Sequence, residues 1–109
     1  MTGTATIENK VFQALADPSR RAIFESLTRG EAAVKDLTAR FSISQPAVSQ
    51  HLAALKEAGL VDDRREGRCA YYRVRPRGMR PLIDWIAHYR AFWVEHIDRL
   101  EQLLENLDG

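Results

Sequence analysis

The sequence predicts a mainly α-helical domain that carries one two-stranded β-hairpin. Three observations lead there. Apolar residues recur at helical spacing up to Ala58 and again from Leu82 to Leu107. Turn residues interrupt the first stretch at Asp17-Pro18, Gly30, Ser42-Ile43 and Gly59. Between Leu60 and Val74 the period changes to two, around Glu66-Gly67. With 109 residues, 45% hydrophobic and 28% charged, the chain has the size and balance of one globular domain over 1–109, with no room for a second. A domain this small buries a modest share of its surface, so pairing with a second copy is expected.

The elements follow in order. After a Thr-rich start, Ile7, Val11, Phe12 and Leu15 mark a first amphipathic helix over 7–16. Asp17 can cap free backbone N–H groups and Pro18 loses no needed donor at a first helical position, so a second helix runs from Pro18 to Leu27, with Gly30 beyond its end. Val34, Leu37 and Phe41 give a short third helix. Ser42-Ile43 is a tight turn, Ser44 caps a fourth helix from Gln45 to Ala58, and Gly59 stops it, with Leu60 packing back. Two short helices joined by a tight turn form a helix-turn-helix. The stretches Leu60–Arg65 and Arg68–Val74 then form a hairpin, or wing, in which Ala70, Tyr72 and Val74 alternate with Cys69, Tyr71 and Arg73. Pro76-Arg77-Gly78 and Pro81 precede one long helix over 81–107, whose stripe Leu82, Ile86, Tyr89, Trp93, Ile97, Leu100, Leu104 and Leu107 approaches a heptad seam. The expected fold is therefore a winged helix-turn-helix with a two-stranded β wing, an N-terminal helix and a long C-terminal helix whose apolar seam suits pairing with a second copy.

Charge is distributed unevenly. Residues 20–80 hold thirteen Lys/Arg against seven Asp/Glu, whereas 81–109 hold two against six. A basic body with an acidic tail suggests a part that faces nucleic acid and a part that faces elsewhere. No apolar run approaches the ~18 residues of a membrane span and the start lacks a secretory core, so a cytoplasmic protein is expected. Cys69, the only cysteine, excludes an internal disulfide.

On a helical wheel of the fourth helix, Val48, Leu52 and Leu55 define the buried stripe. Pro46, Gln50, Ala53 and Glu57 lie opposite, Ser49 flanks them and Gln45 opens the helix. Small residues permit close approach to a groove, Gln can pair with an adenine edge and Ser reaches bases or phosphates; the same face also suits ordinary solvent exposure. His51, nearer the stripe, is expected to be half-buried and to orient the helix. The wing carries Arg64 and Arg65 before its turn and Arg68 after it, with Arg73 and Arg75 farther along. Guanidinium groups suit phosphate or a narrow minor groove, although edge strands also carry charge to block aggregation. Tyr71 and Tyr72 are expected to pack in the core rather than stack on bases. Asp84 and His88 sit four apart on the last helix with His96 two turns on; a surface ion pair or a packing role is favoured over a metal site, which would need further ligands. Cys69 has no evident base, and no phosphate loop or paired-carboxylate motif stands out, so no enzyme and no cofactor are expected.

The run Ala14-Leu15-Ala16-Asp17-Pro18-Ser19-Arg20-Arg21-Ala22-Ile23, then Leu37 to Phe41, Ser44-Gln45-Pro46-Ala47-Val48-Ser49-Gln50-His51-Leu52 and Leu55-Lys56-Glu57-Ala58-Gly59-Leu60-Val61 closely resembles the ArsR/SmtB family of bacterial repressors. The resemblance covers roughly residues 8–80 and implies a dimer joined by the first and last helices, with Gln45, Ser49, Gln50 and His51 at the major groove. The residues expected to touch double-stranded DNA are Gln45, Pro46, Ser49, Gln50, His51, Lys56, Arg64, Arg65 and Arg68. Where metal-sensing relatives carry Glu-Leu-Cys-Val-Cys-Asp-Leu, this chain reads Glu31-Ala32-Ala33-Val34-Lys35-Asp36-Leu37, so Ala33 and Lys35 replace both thiolates. The zinc pattern of the last helix is also broken, with Arg99 at its final ligand position. The resemblance thus points to the non-metal-sensing branch and to a repressor on an inverted-repeat operator. A metal sensor using the last helix and a winged-helix module that binds protein are the alternatives.

Overall fold

In the computed structural model the backbone is described for residues 3–108 and the side chains for 9–107. The elements run α1 (Gly3–Ala16), α2 (Pro18–Leu27), β1 (Ala32–Ala33), α3 (Val34–Phe41), α4 (Gln45–Glu57), β2 (Val61–Glu66), β3 (Cys69–Val74), a 3₁₀ turn (Pro76–Met79), α5 (Arg80–His88) and α6 (Arg90–Asp108). The side chain of Ile7, read as part of the first apolar stripe, lies outside the described residues.

The caps are those the residues dictate. Asp17 accepts from the Arg20 N–H at 2.9 Å and Ser44 from the Ala47 N–H at 3.2 Å, each satisfying a donor that its helix leaves free. The Arg20 N–H holds the Asp17 carboxyl below the usual carboxylate range, aided by the charges of His51 and Arg20. At the other end of α4, Gly59 takes φ +80°, its N–H donates to Lys56 O and the Leu60 N–H to Leu55 O, the paired bonds of a Schellman stop.

The core lies where α1, α2, α3 and α4 meet the sheet. Val11, Ile23, Leu37, Val48, Leu52, Leu55 and Leu60 are fully buried in it, and Tyr72, Val74, Met79 and Leu82 pack against its edge. This burial fixes the rotation of α4 about its own axis, because Val48, Leu52 and Leu55 can face only inward.

Three expectations need correcting. The wing is part of a three-stranded antiparallel sheet of order β1-β3-β2, because Ala32 and Ala33 pair with Tyr72 and Tyr71. Two alanines carry neither alternation nor β-propensity, so no sequence pattern announces this strand. The hairpin closes one residue later than expected: Glu66 pairs with Cys69, leaving Gly67 and Arg68 as the turn. The C-terminal span is also two helices, not one. At Tyr89 (φ −104°, ψ 12°) the N–H bonds to Ile86 O, three residues back, before the ladder resumes from Trp93 N–H to Tyr89 O. Periodicity cannot register a one-residue loosening, since Trp85 still meets both Tyr89 and Trp93 across it, with centroids 5.3 and 6.2 Å apart.

Candidate nucleic-acid interface

The buried stripe of α4 leaves Gln45, Pro46, Ser49, Gln50 and Ala53 exposed on its other side. The N-terminal half of that side offers amide and hydroxyl groups beside small residues, a combination that can approach and hydrogen-bond base edges. His51 is half-buried between the two faces, and its Nδ1 is enclosed without a hydrogen-bond partner among the described residues. It lies near enough to Asp17, at the start of α2, to help lower that carboxyl's pKa. The half-burial of His51 is as expected from the helical wheel.

The cations divide into two sets. Lys56 reaches Asp63 at 2.7 Å, an ion pair from the end of α4 to β2 that raises the Lys56 pKa and lowers that of Asp63. Arg64 donates to Glu31 and to Glu66 and lies 4.9 Å above the centre of the Tyr71 ring, so its pKa rises and the wing is fastened to the segment before β1. Lys56 and Arg64, read from the sequence as DNA contacts, are thus already paired with carboxylates, and contact with phosphate would require them to exchange partners. Sequence reasoning missed Glu31 and Asp63 as their partners, because the partners lie on other elements and no local spacing links them.

Arg65 and Arg68 form the second set. Both are exposed at the tip of the hairpin and neither forms an ion pair among the described residues. Cross-strand placement explains the contrast: Arg64 stands opposite Tyr71, whereas Arg65 stands opposite Ala70 and Arg68 lies in the turn itself. Tyr72 packs toward the core as expected, and Tyr71 instead supports Arg64.

The residues considered as metal ligands do not converge. Asp84 pairs with Arg80 at 3.0 Å, rather than with His88, and His96 stacks on Phe92 with Nδ1 2.9 Å from the Phe92 carbonyl. Among the described residues no three His, Cys, Asp or Glu side chains gather into a metal-binding group.

Residues 17–63 match the family described as bacterial regulatory protein, arsR family. The chain is 40% identical over 98 residues to the HTH-type transcriptional regulator Rv2034 of Mycobacterium tuberculosis, covering 90% of this chain and 89% of that protein. The chain belongs to the ArsR family. The chain is also similar to the transcriptional repressor SdpR of Bacillus subtilis, 36% identical over 81 residues, 74% of this chain and 90% of that one. A solved structure of an ArsR-like transcriptional regulator from Rhodococcus sp. RHA1 superposes with a TM-score of 0.74 at 28% identity, over 94% of this chain and 96% of the other. This ArsR-family chain is thus a winged-helix, DNA-binding transcriptional regulator, in a family of regulators rather than enzymes. No helix among its described residues is long and apolar enough to cross a membrane.

The division of the ArsR wing cations makes a measurable difference. Arg65→Ala with Arg68→Ala should weaken binding to many duplexes alike and flatten its salt dependence by roughly one ion for each phosphate left unneutralised. Titrations over a salt series check this; an unaltered slope would leave these arginines as protection of the sheet edge.

Proposed function

We propose that this ArsR-family regulator is a cytoplasmic homodimeric repressor that binds an inverted-repeat operator and blocks transcription from it. Gln45, Pro46, Ser49 and Gln50 face the major groove, His51 sets the angle of α4, and Arg65 and Arg68 hold the flanking backbone. Lys56 and Arg64 join them when phosphates displace their carboxylates. The observation that carries this reading is the sidedness of α4, whose Val48, Leu52 and Leu55 are fully buried while Gln45, Ser49 and Gln50 are exposed. Repression is supported by the similarity to proteins named as repressors, SdpR among them.

Dimerisation through 7–16 and 81–107 is supported by the apolar surface of α5 and α6. Ile86, Tyr89, Trp93, Ile97, Leu100, Leu104 and Leu107 are all more than 40% exposed, and Trp85 and Phe92 widen the patch. Contiguous apolar surface of this extent marks an interface. A two-fold dimer presents its two α4 helices to half-sites ~34–36 Å apart, one turn of the duplex.

The reading is tested on α4. Gln50→Ala or Ser49→Ala should weaken binding to a selected operator by about 1–3 kcal/mol and relax sequence preference at the base pair it reads, with the melting temperature nearly unchanged. Binding measured against single-base operator variants checks both effects. Unchanged affinity and preference in both proteins would remove α4 from this role and favour a protein-binding module.

A further inference from the structure

Three arginines, Arg73, Arg75 and Arg77, line one cleft at the base of the wing, away from its tip. A shallow, open cleft of roughly 280 Å³, just below the usual range of small-ligand sites, is lined by Asp62, Arg73, Val74, Arg75, Pro76 and Arg77. Tyr72 and Val74 pack toward the core, so strand alternation places Arg73 and Arg75 on the outer face, and the 3₁₀ turn after Pro76 brings Arg77 to the same cleft. Asp62, directly opposite Arg73 in the β2-β3 pairing, accepts from its Nε at 2.8 Å. Arg75 and Arg77 are exposed and form no ion pair among the described residues. The cleft therefore carries three permanent positive charges against one carboxylate. Arg75 and Arg77, left without a carboxylate partner beside the Arg73–Asp62 pair, favour an anion that bridges them, and the guanidinium fork matches phosphate and carboxylate oxygens.

The place of this cleft separates it from the DNA-reading surface. The Arg75 N–H donates to Leu60 O just past the end of α4, so the cleft sits at the C-terminal end of that helix. Gln45 lies at the other end, about 20 Å away at the usual helical rise, and the wing tip is about eight strand residues off, about 26 Å. A duplex held by those two features stays distant from Arg75 and Arg77. The cleft instead spans the junction between the wing and the turn that leads into α5.

We propose that this cleft binds a small polyanion of the polyphosphate or polycarboxylate class, and that the bound ligand alters DNA affinity by bridging Arg73 and Arg75 of the wing to Arg77 before α5. Binding is independent of the proposed operator; only the coupling to DNA rests on that reading. By linkage, an anion that changes affinity for DNA is bound with an affinity that DNA changes by the same factor.

The test uses the full chain and inorganic pyrophosphate, titrated calorimetrically at constant ionic strength. The wild-type protein should show one saturable site per chain. Arg75→Ala with Arg77→Ala, both at exposed positions, should bind at least about tenfold more weakly, whereas Arg65→Ala with Arg68→Ala should bind as the wild type does. Pyrophosphate should shift operator affinity of the wild type and leave that of the Arg75/Arg77 variant unmoved. Absence of saturable binding, or equal binding by all three proteins, overturns the site. A flattened salt slope for operator binding in the Arg75/Arg77 variant, without pyrophosphate binding by the wild type, overturns it too and assigns these arginines to DNA phosphates. Operator binding by the wild type, measured alongside, shows whether the DNA-reading assignment stands on its own.

Discussion

Trp93→Ser combined with Ile97→Ser is expected to separate the two subunits and, in the same step, to lower operator affinity by ~10²–10⁴-fold, the advantage that linked half-sites have over one. Trp93 and Ile97 are 41% and 51% exposed in the single chain, and neither belongs to the core formed by α1 to α4 and the sheet. The variant should therefore remain folded over that core while losing the surface that holds its partner. Trp93 also packs on Trp85, which in turn meets Phe12 of α1, so the apolar surface it belongs to runs on to the first helix. Sedimentation should show a monomer, circular dichroism a helical protein, and operator titrations weak binding that an isolated half-site reproduces. If the unmodified protein is monomeric at micromolar concentration and still binds one half-site tightly, the dimer and the inverted repeat both fail.

Gly78→Ala should have the next largest effect. A Cβ on Gly78 would lie 1.9 Å from Gly59 O, 2.7 Å from Gly59 C and 3.0 Å from Leu60 Cα. All three are backbone atoms in the turn that ends α4, held by the Gly59 and Leu60 hydrogen bonds, so no flexible side chain can yield. Overpacking of this kind costs about 1–3 kcal/mol, and the chain can relieve it only by moving the segment before α5 away from the end of α4. That movement changes how α4 is held relative to α5 and α6. The melting temperature should fall by several degrees, at ~4–8 °C per kcal/mol for a domain near this size, and operator affinity should fall beyond what the lost stability explains. Melting must be compared at one protein concentration, because a dimer's apparent stability depends on it. Unchanged melting and unchanged operator affinity would show that the two segments are not tightly joined.

Much of this was legible in the residues themselves. Asp17-Pro18 and Ser44 mark helix starts through groups that satisfy free N–H donors, and Gly59 marks a stop through its positive φ; both mechanisms act within a few residues. The wheel of α4 likewise identified Val48, Leu52 and Leu55 as buried, because helical period and apolarity together leave one side to face the core. The family was equally readable, since its motifs are continuous stretches in a set order.

What the sequence by itself determined was thus local: where helices begin and end, which side of each turns inward, and which residues α4 leaves outside. Tertiary structure alone decided which cations are already engaged, that Ala32 and Ala33 complete a third strand, that the last span loosens at Tyr89, and that Arg73, Arg75 and Arg77 share one cleft. The physical reason is that caps and periodicity act over one or two turns of chain, where spacing in sequence fixes spacing in space. An ion pair such as Arg64 with Glu31, or a close approach such as Gly78 to Gly59, joins residues that only the packed core brings together.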